Sequence, residues 1–186
     1  MRTEISRGIF TINSVLTLDE CCEYIEWSEG LGYEAAPVSL AGGAVHRPDI
    51  RNNARVMVES LDKAQDLWRR VAPDIPLALE GRSVVGLNER LRFYRYGPGQ
   101  KFAWHTDGCV RRANGEESLL TFMIYLNRGA HGGETRFENA SITPQPGLAL
   151  VFDHYLPHEG ALVSAGQKYV LRSDVMYGPP GIGGGY

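Results

Sequence analysis

The sequence is poor in the features that mark several large classes of protein. It has three cysteines, Cys21, Cys22 and Cys109, and an odd number with two adjacent is atypical of a disulfide framework and indicates a reducing compartment. No run of about 18 apolar residues predicts a transmembrane helix, and the first residues lack the apolar core of a signal peptide. A net charge of −3 creates no broad field that would attract nucleic acid or a membrane. We therefore expect a cytoplasmic protein that binds neither.

A helix is predicted over about 18–29. Thr17 and Glu20 match a capping box, and Gly30 would end the helix. Apolar residues recur at helical spacing between these limits: Leu18, Cys22 and Ile25. Adjacent cysteines lack the gap that lets two thiolates close on one metal ion, so Cys22 is expected to be a small core residue of this helix.

A second helix is predicted over 60–71, with Ser60 as its N-cap. Its apolar residues fall on one helical face: Leu61, Ala64, Leu67 and Val71. From about residue 88 the pattern changes to short alternating or apolar segments bounded by Gly, Pro or Asn, which is typical of a β-sandwich or barrel. The predicted strands are 90–96, 119–126, 134–137, 148–153, 161–164 and 168–177.

The chain is therefore predicted to be one domain over 1–177. Helices over about 1–88 would support a β core over about 88–177. The Gly/Pro-rich tail, 178–186, would be irregular.

His105 and Asp107 are candidate metal ligands, because residues two apart on a strand point to the same side. A second imidazole from a distant strand would complete a facial triad, which leaves coordination positions open and suits non-haem Fe(II) oxygenases. His154 and His158 both follow the apolar strand at 148–153, and spacing alone does not separate them.

Lys168 and Arg172 lie on one predicted strand at spacings that place both on the same face. Two cations inside a β structure are costly unless they meet an anion. Taken alone, the pattern is explained as well by a solvated face or by pairing with internal carboxylates.

Four segments, taken together and in this order, resemble the 2-oxoglutarate/Fe(II) dioxygenases of the prolyl 4-hydroxylase type. They are RYGPGQKFAWHTD, LLTFMIYLNRGAHGGETRF, PQPGLALVFDH and PHEGALVSAGQKYVLRSDVMY. The resemblance implies a mainly β fold, a double-stranded β-helix (a cupin-like jelly roll) with bracing N-terminal α-helices.

The resemblance also implies roles for individual residues. His105, Asp107 and His158 would hold Fe(II), which decides against His154. Lys168 would pair with the distal carboxylate of 2-oxoglutarate, and Arg172 would touch either the co-substrate or the substrate. Further groups of the co-substrate pocket would be Tyr96, Thr121 and Tyr125, although as strand residues they need no ligand to explain them.

The expected activity is hydroxylation of a C–H bond with Fe(II), 2-oxoglutarate and O₂, with release of succinate and CO₂ and with ascorbate as a candidate reductant. The expected substrate is a prolyl residue in a peptide or protein, and hydroxylation of a free amino acid or other small molecule is the alternative. Candidate substrate contacts are Trp104, Arg51 and Arg55. A non-catalytic jelly roll that senses metal or 2-oxoglutarate, and a zinc hydrolase, are the rival hypotheses.

Overall fold

The computed structural model describes residues 1–40 and 43–180, so residues 181–186 of the predicted tail lie outside the described residues. The helices are α1 (Leu18–Leu31) and α2 (Leu61–Val71), followed by a short 3₁₀ turn, Ala72–Asp74. The strands are β1 (Arg2–Ser6), β2 (Ile9–Ile12), β3 (Glu34–Ala35), β4 (Val38–Leu40), β5 (Gly43–Val45), β6 (Ala54–Glu59), β7 (Ala78–Leu79), β8 (Arg82–Leu87), β9 (Arg90–Tyr96), β10 (Phe102–His105), β11 (Glu117–Tyr125), β12 (His131–Gly132), β13 (Thr135–Phe137), β14 (Ala140–Ile142), β15 (Ala149–Asp153), β16 (His158–Gly160), β17 (Val163–Ala165) and β18 (Lys168–Tyr177).

Two antiparallel sheets build the domain. The major sheet has the order β1-β2-β15-β11-β18-β9-β6-β3, with β8 paired to the end of β18 and β7 paired to β8. The minor sheet has the order β10-β16-β13-β14. Strands β12 and β17, and strands β4 and β5, form two further small ladders. The architecture is the predicted double-stranded β-helix.

The major sheet separates two hydrophobic cores, because successive side chains of a strand point to opposite faces. Phe93, Phe122 and Leu171 belong to the core that includes residues of both helices. Tyr94 and Val170, their immediate neighbours on β9 and β18, belong to the core that includes residues of the minor sheet. The pocket described below opens on this second face.

Both predicted helices are present, but α1 buries a different face. Thr17 and Glu20 form the predicted capping box, and α1 ends beyond Gly30, since Gly32 adopts the positive φ of 83°. Leu18 and Cys22 are exposed, and the buried residues are Cys21, Tyr24 and Ser28. Tyr24 packs against Phe93, and burying this aromatic ring sets the rotation of the helix. The prediction that Cys22 lies in the core was wrong; Cys21 does.

Helix α2 agrees with its prediction at both ends, and Ser60 accepts the N-cap hydrogen bond from the Lys63 N–H. Ala64, Leu67 and Val71 are buried, but Leu61 is 59% exposed. Leu61 occupies the first turn, where the helix has not yet reached the core.

The predicted strands of the second half all occur, with β9 and β18 at the predicted bounds. The prediction that residues 1–88 only supply helical support was wrong, because β1, β2, β3, β6 and β8 from this region join the major sheet. These strands are short and lie towards the sheet edges. A run such as Ile9–Ile12, buried at every position, has no alternation by which it could be recognised.

All three cysteines are free, as predicted. Among the described residues, no helix combines the length and the apolar character that crossing a membrane requires.

Candidate metal centre and adjoining pocket

His105, Asp107 and His158 converge at one end of the minor sheet. His105 ends β10 and pairs directly with His158, the first residue of β16. Asp107 follows β10, and its backbone N–H donates to the His154 carbonyl oxygen at 2.9 Å. One ligand atom from each of the three side chains lies within 4.8 Å of the other two. The sequence-predicted triad is therefore assembled by strand pairing.

The two imidazoles present the same nitrogen to Asp107. Nδ1 of His105 lies 2.8 Å from the Ala103 carbonyl oxygen, and Nδ1 of His158 lies 2.9 Å from the Leu156 carbonyl oxygen. A carbonyl oxygen can only accept a hydrogen bond, so Nδ1 carries the proton in each neutral ring. The Nε2 atoms lie 3.7 and 3.6 Å from the Asp107 carboxylate oxygens and keep free lone pairs.

Burial keeps both rings neutral. It lowers the pKa of His105 to about 3 and also lowers the pKa of His158. Neutral imidazoles with a fixed Nδ1–H are the form that coordinates a metal, and the backbone acceptors fix the ring orientation.

Asp107 is a buried, ionised carboxylate. Burial by itself would raise its pKa, but Arg172 and the two imidazoles lower it well below the usual range. The Thr121 hydroxyl donates to Oδ2 at 2.5 Å and Arg172 Nη1 donates to Oδ1 at 2.7 Å. Two nitrogens and one carboxylate on one side of a point form the donor set that suits a mononuclear Fe(II) site with open positions.

A pocket extends from this triad between the two sheets. It contains about 410 Å³ of space, part of it open to solvent. Its walls include Tyr94, Phe102, Met123 and Phe152. An apolar lining with a few polar groups is typical of a site for a small organic ligand.

Lys168 projects into the pocket and is 3% exposed. Its Nζ lies 5.1 Å from the centre of the Tyr96 ring and 5.5 Å from that of Tyr125. Among residues 1–40 and 43–180, no side chain forms a salt bridge with it, and burial lowers its pKa to about 8. A buried ammonium with no ion-pair partner favours an anionic ligand at this end of the pocket.

Tyr96 and Tyr125, two residues that the resemblance assigns to the co-substrate pocket, lie beside Lys168. Both are buried, and Tyr96 is the direct partner of Lys168 between β9 and β18. The Tyr125 hydroxyl donates to Thr135 Oγ1 at 2.7 Å. Thr135 is a buried pocket residue that sequence reasoning missed; its three-residue strand carries no periodicity to mark it.

Two further expected co-substrate residues, Thr121 and Arg172, line the same pocket and contact the candidate metal ligand. Thr121 pairs with Asp174 across β11 and β18, six residues along β18 from Lys168, and its hydroxyl donates to Asp107. Arg172 contacts Asp107 and Asp174, and the sequence did not indicate either partner. Both residues thus support the candidate metal ligand.

His154 is not part of the cluster, although it is only 1% exposed. Its Nδ1 lies 2.9 Å from Thr121 Oγ1 and its Nε2 lies 2.9 Å from Ser118 Oγ. Both ring nitrogens are therefore engaged by hydroxyl groups. His154 supports Thr121 and leaves the third position of the triad to His158.

The three candidate substrate contacts occupy different surroundings. Trp104 is 51% exposed on β10 beside the triad, whereas Arg51 is 6% exposed. The Arg51 guanidinium lies 4.5 Å from the Tyr94 ring centre and 4.4 Å from that of Phe102. Arg55 is partly buried on β6, where it pairs with Tyr94 of β9. Arg51 and Arg55 thus both lie against a tyrosine of the pocket wall.

The fold and the site together define a class, that of mononuclear Fe(II)-type oxygenases built on a double-stranded β-helix. Residues 91–173, which include the triad and Lys168, match the model of the 2OG-Fe(II) oxygenase superfamily. This match makes the chain similar to the Fe(II)/2-oxoglutarate-dependent dioxygenases, and the relatives that follow are of the prolyl 4-hydroxylase type. The family uses Fe(II), 2-oxoglutarate and O₂.

Individual relatives are distant in sequence but similar over most of their length. A putative prolyl 4-hydroxylase of Acanthamoeba polyphaga mimivirus is 22% identical over 88% of this chain and 72% of its own. The viral collagen prolyl hydroxylase of Paramecium Bursaria Chlorella virus-1, in its 2OG complex, has a TM-score of 0.67 at 20% identity and covers 91% of this chain and 96% of that chain. A prolyl hydroxylase from Trichoplax adhaerens, in complex with a hypoxia inducible factor peptide, has a TM-score of 0.66 at 18% identity, with 91% and 84% covered. At these identities the structural likeness shows the shared fold.

Proposed function

We propose that this protein hydroxylates a prolyl residue in a peptide or protein, with consumption of 2-oxoglutarate and O₂ and release of succinate and CO₂. The observation that carries the proposal is the convergence of His105, Asp107 and His158 beside the unpaired, buried Lys168. Prolyl hydroxylases among the similar proteins, one of them seen with a peptide, support a peptide substrate.

The three side chains of the triad would hold Fe(II) through Nε2 of His105, Nε2 of His158 and a carboxylate oxygen of Asp107. When bound, Fe(II) with 2-oxoglutarate activates O₂ for insertion of one oxygen atom into the substrate C–H bond and of the other into succinate. Arg172 and Thr121 hold the Asp107 carboxylate from both sides. The backbone acceptors of Ala103 and Leu156 hold the imidazoles in one tautomer.

Lys168 would bind the distal carboxylate of 2-oxoglutarate. Tyr96, Tyr125 and Val170 enclose this end of the pocket and are each at most 5% exposed. An ion pair formed in such dry surroundings is strong and directional. The co-substrate would thus be oriented with its other end toward the triad.

The test is incubation of the full chain with Fe(II), 2-oxoglutarate, ascorbate and a panel of proline-containing peptides. We expect mass spectrometry to show a peptide product heavier by one oxygen atom, with succinate released in equal amount. Lys168→Ala should weaken 2-oxoglutarate binding, whereas Lys101→Ala, which removes an exposed lysine, should not. An unchanged 2-oxoglutarate affinity in Lys168→Ala would refute the assignment of the pocket.

The same assay separates the rival functions. A sensor would bind the metal and 2-oxoglutarate without slow succinate release in the absence of peptide. A hydrolase would keep its activity in Lys168→Ala. A product from free proline or another small molecule, with none from any peptide, would refute the peptide substrate but not the dioxygenase chemistry.

A cytoplasmic location stays a prediction. It is supported by the three free cysteines, Cys21, Cys22 and Cys109. Cell fractionation of the tagged protein tests it.

A further inference from the structure

Four arginines surround Tyr94 on the wall of the pocket. We call Arg51, Arg55, Arg92 and Arg172 the arginine cluster. Arg92 and Arg172 pair directly between β9 and β18, and Arg55 pairs with Tyr94 between β6 and β9. The Arg51 guanidinium lies 4.5 Å from the Tyr94 ring centre. Three strands and the segment before β6 therefore bring their cations to one place.

Carboxylates compensate only half of the arginine cluster. Asp174 forms salt bridges with Arg92 and Arg172, and Asp107 forms one with Arg172. Within the described part of the chain, no carboxylate lies at ion-pair distance from Arg51 or Arg55. The Arg51 Nε donates to the amide oxygen of Asn53 at 2.7 Å, which satisfies one donor but supplies no charge.

The arginine cluster also has unused hydrogen-bond donors. Nη2 of Arg51 and Nε of Arg172 are buried and have no hydrogen-bond partner among the described residues. Buried donors on a charged group are costly to leave unsatisfied. Since Arg51 is 6% exposed, water from the open surface does not readily satisfy it.

Loading the metal and the co-substrate does not remove this excess charge. The two negative charges of 2-oxoglutarate balance the net positive charge that Fe(II), Asp107 and Lys168 carry together. The arginine cluster is then left with Asp174 as its counter-charge. In the ligand-free protein the field of the arginine cluster acts on Tyr94, because burial would raise its pKa but Arg172, Arg51 and Arg92 lower it.

The arginine cluster and Lys168 lie at different ends of the pocket. Arg172 is four residues beyond Lys168 on the same strand, which corresponds to about 13 Å of extended chain. Asp107 contacts Arg172, so the triad adjoins the Arg172 side of the arginine cluster. The exposed side chains of Met57 and Trp104 belong to β6 and β10, two strands that adjoin this region. The substrate would approach the arginine cluster from this side.

We propose that the arginine cluster binds a carboxylate of the substrate, so that the enzyme prefers a prolyl residue with a carboxylate close to it. The inference rests on the proposed function for the identity of the reacting residue. A guanidinium binds a carboxylate through two parallel hydrogen bonds, and Arg51 and Arg172 each offer a free donor. The carboxylate is either the side chain of a neighbouring acidic residue or the free carboxylate of a C-terminal proline.

The test measures binding without turnover, by calorimetry on the full chain loaded with Fe(II) and 2-oxoglutarate in the absence of O₂. One peptide pair carries Glu or Gln beside the proline, and a second pair ends in proline with a free or an amidated C-terminus. We expect the carboxylate member of one pair to bind at least tenfold more tightly than its neutral partner. The pair that shows the difference identifies the source of the carboxylate.

Arg55→Gln and Arg51→Gln test the arginine cluster directly. Each should weaken binding of the preferred carboxylate peptide about tenfold and leave the neutral peptide unchanged. Arg95→Gln is the matched control. Like Arg92 of the arginine cluster, Arg95 lies on β9, but it pairs with Glu29 at the surface, so this variant should change neither affinity. Thermal melts check that the variants fold. If Arg51→Gln unfolds, Arg55→Gln still tests the proposal, because Arg55 is only partly buried.

Equal binding of the carboxylate and neutral peptides in both pairs would overturn the proposal, as would an equal loss for both members in the variants. Hydroxylation of a neutral prolyl peptide with such equal binding would leave the proposed function intact. Conversely, arginine-dependent binding of a carboxylate compound without hydroxylation of any prolyl peptide would refute the proposed function and support the arginine cluster.

Discussion

Arg172 Nη1 donates to Asp107 Oδ1 at 2.7 Å, and the two residues are 65 positions apart in the chain. The Arg172 and Asp107 side chains are 13% and 3% exposed, so the guanidinium and the carboxylate neutralise each other largely away from solvent. The Thr121 hydroxyl donates to the other carboxylate oxygen. Asp107 is therefore oriented before any metal binds, with lone pairs left on both oxygens.

Arg172→Met is expected to destabilise the metal-free protein by about 3–5 kcal/mol, the usual cost of breaking a buried ion pair from one side. Fe(II) should recover part of this loss, because the metal supplies a positive charge to Asp107 in place of the guanidinium. Unfolding in urea with and without Fe(II), under nitrogen, measures both effects. Arg95→Gln should cost about 0–1 kcal/mol as the loss of a surface pair. A metal-independent loss in Arg172→Met would argue against Asp107 as a ligand.

His158→Ala and His154→Ala should separate a ligand from its support. His158→Ala removes one of three ligands, so we expect loss of metal binding in a calorimetric titration. His154→Ala leaves the Thr121 and Ser118 hydroxyls without a buried partner, which should cost about 1–3 kcal/mol of stability while metal binding persists. The reverse pattern would assign the third ligand to His154.

The affinity for 2-oxoglutarate should fall as the pH rises through about 8. Burial lowers the pKa of Lys168 from 10.5 to about 8, so the ammonium is present below this pH and is lost above it. The dianion needs the charged form. Calorimetric titration from pH 6.5 to 9 measures the effect, and Lys168→Ala should bind weakly with a flatter profile. A profile shared by the wild type and Lys168→Ala would assign the titration to another group.

The lowered pKa of Lys168 has the opposite effect on the stability of the ligand-free protein, which should rise with pH. Between about 8 and 10.5 the folded state releases the Lys168 proton while the unfolded state retains it. Since the unfolded state then binds more protons, this group makes stability rise with pH across that window. Urea unfolding of the wild type and of Lys168→Met compares the two slopes, and we expect the rise to be smaller in the variant.

Gly132→Ala should destabilise the domain at the end of β12. Gly132 has a φ of +75°, and an added Cβ would press on the Leu162 carbonyl oxygen in the β17 region. We expect a loss of more than about 1 kcal/mol, since strain at positive φ adds to the clash. Gly129→Ala is the control, because its φ is +101° but nothing lies within 4 Å. Equal losses in the two variants would mean that backbone strain alone accounts for the effect.

The sequence by itself determined the long strands and the chemistry that they carry. Alternation over 90–96 and 168–177 is strong enough to predict β9 and β18 at their observed bounds, and it places Lys168 and Arg172 on one face. The resemblance of the four segments to the 2-oxoglutarate/Fe(II) dioxygenases indicated the kind of site. Local patterns also identified both helices, since capping residues and apolar spacing act within a few residues of each other.

Tertiary structure decided which side chains meet. Strands β10 and β16 have four and three residues, too few for periodicity, yet their pairing joins His105 to His158 and leaves His154 to two hydroxyls. Thr121 and Arg172 line the pocket, but the sequence did not show that both contact Asp107. The arginine cluster likewise forms only when β6, β9 and β18 pair. Contacts of this kind depend on the register between strands that are distant in the chain, and no local spacing encodes that register.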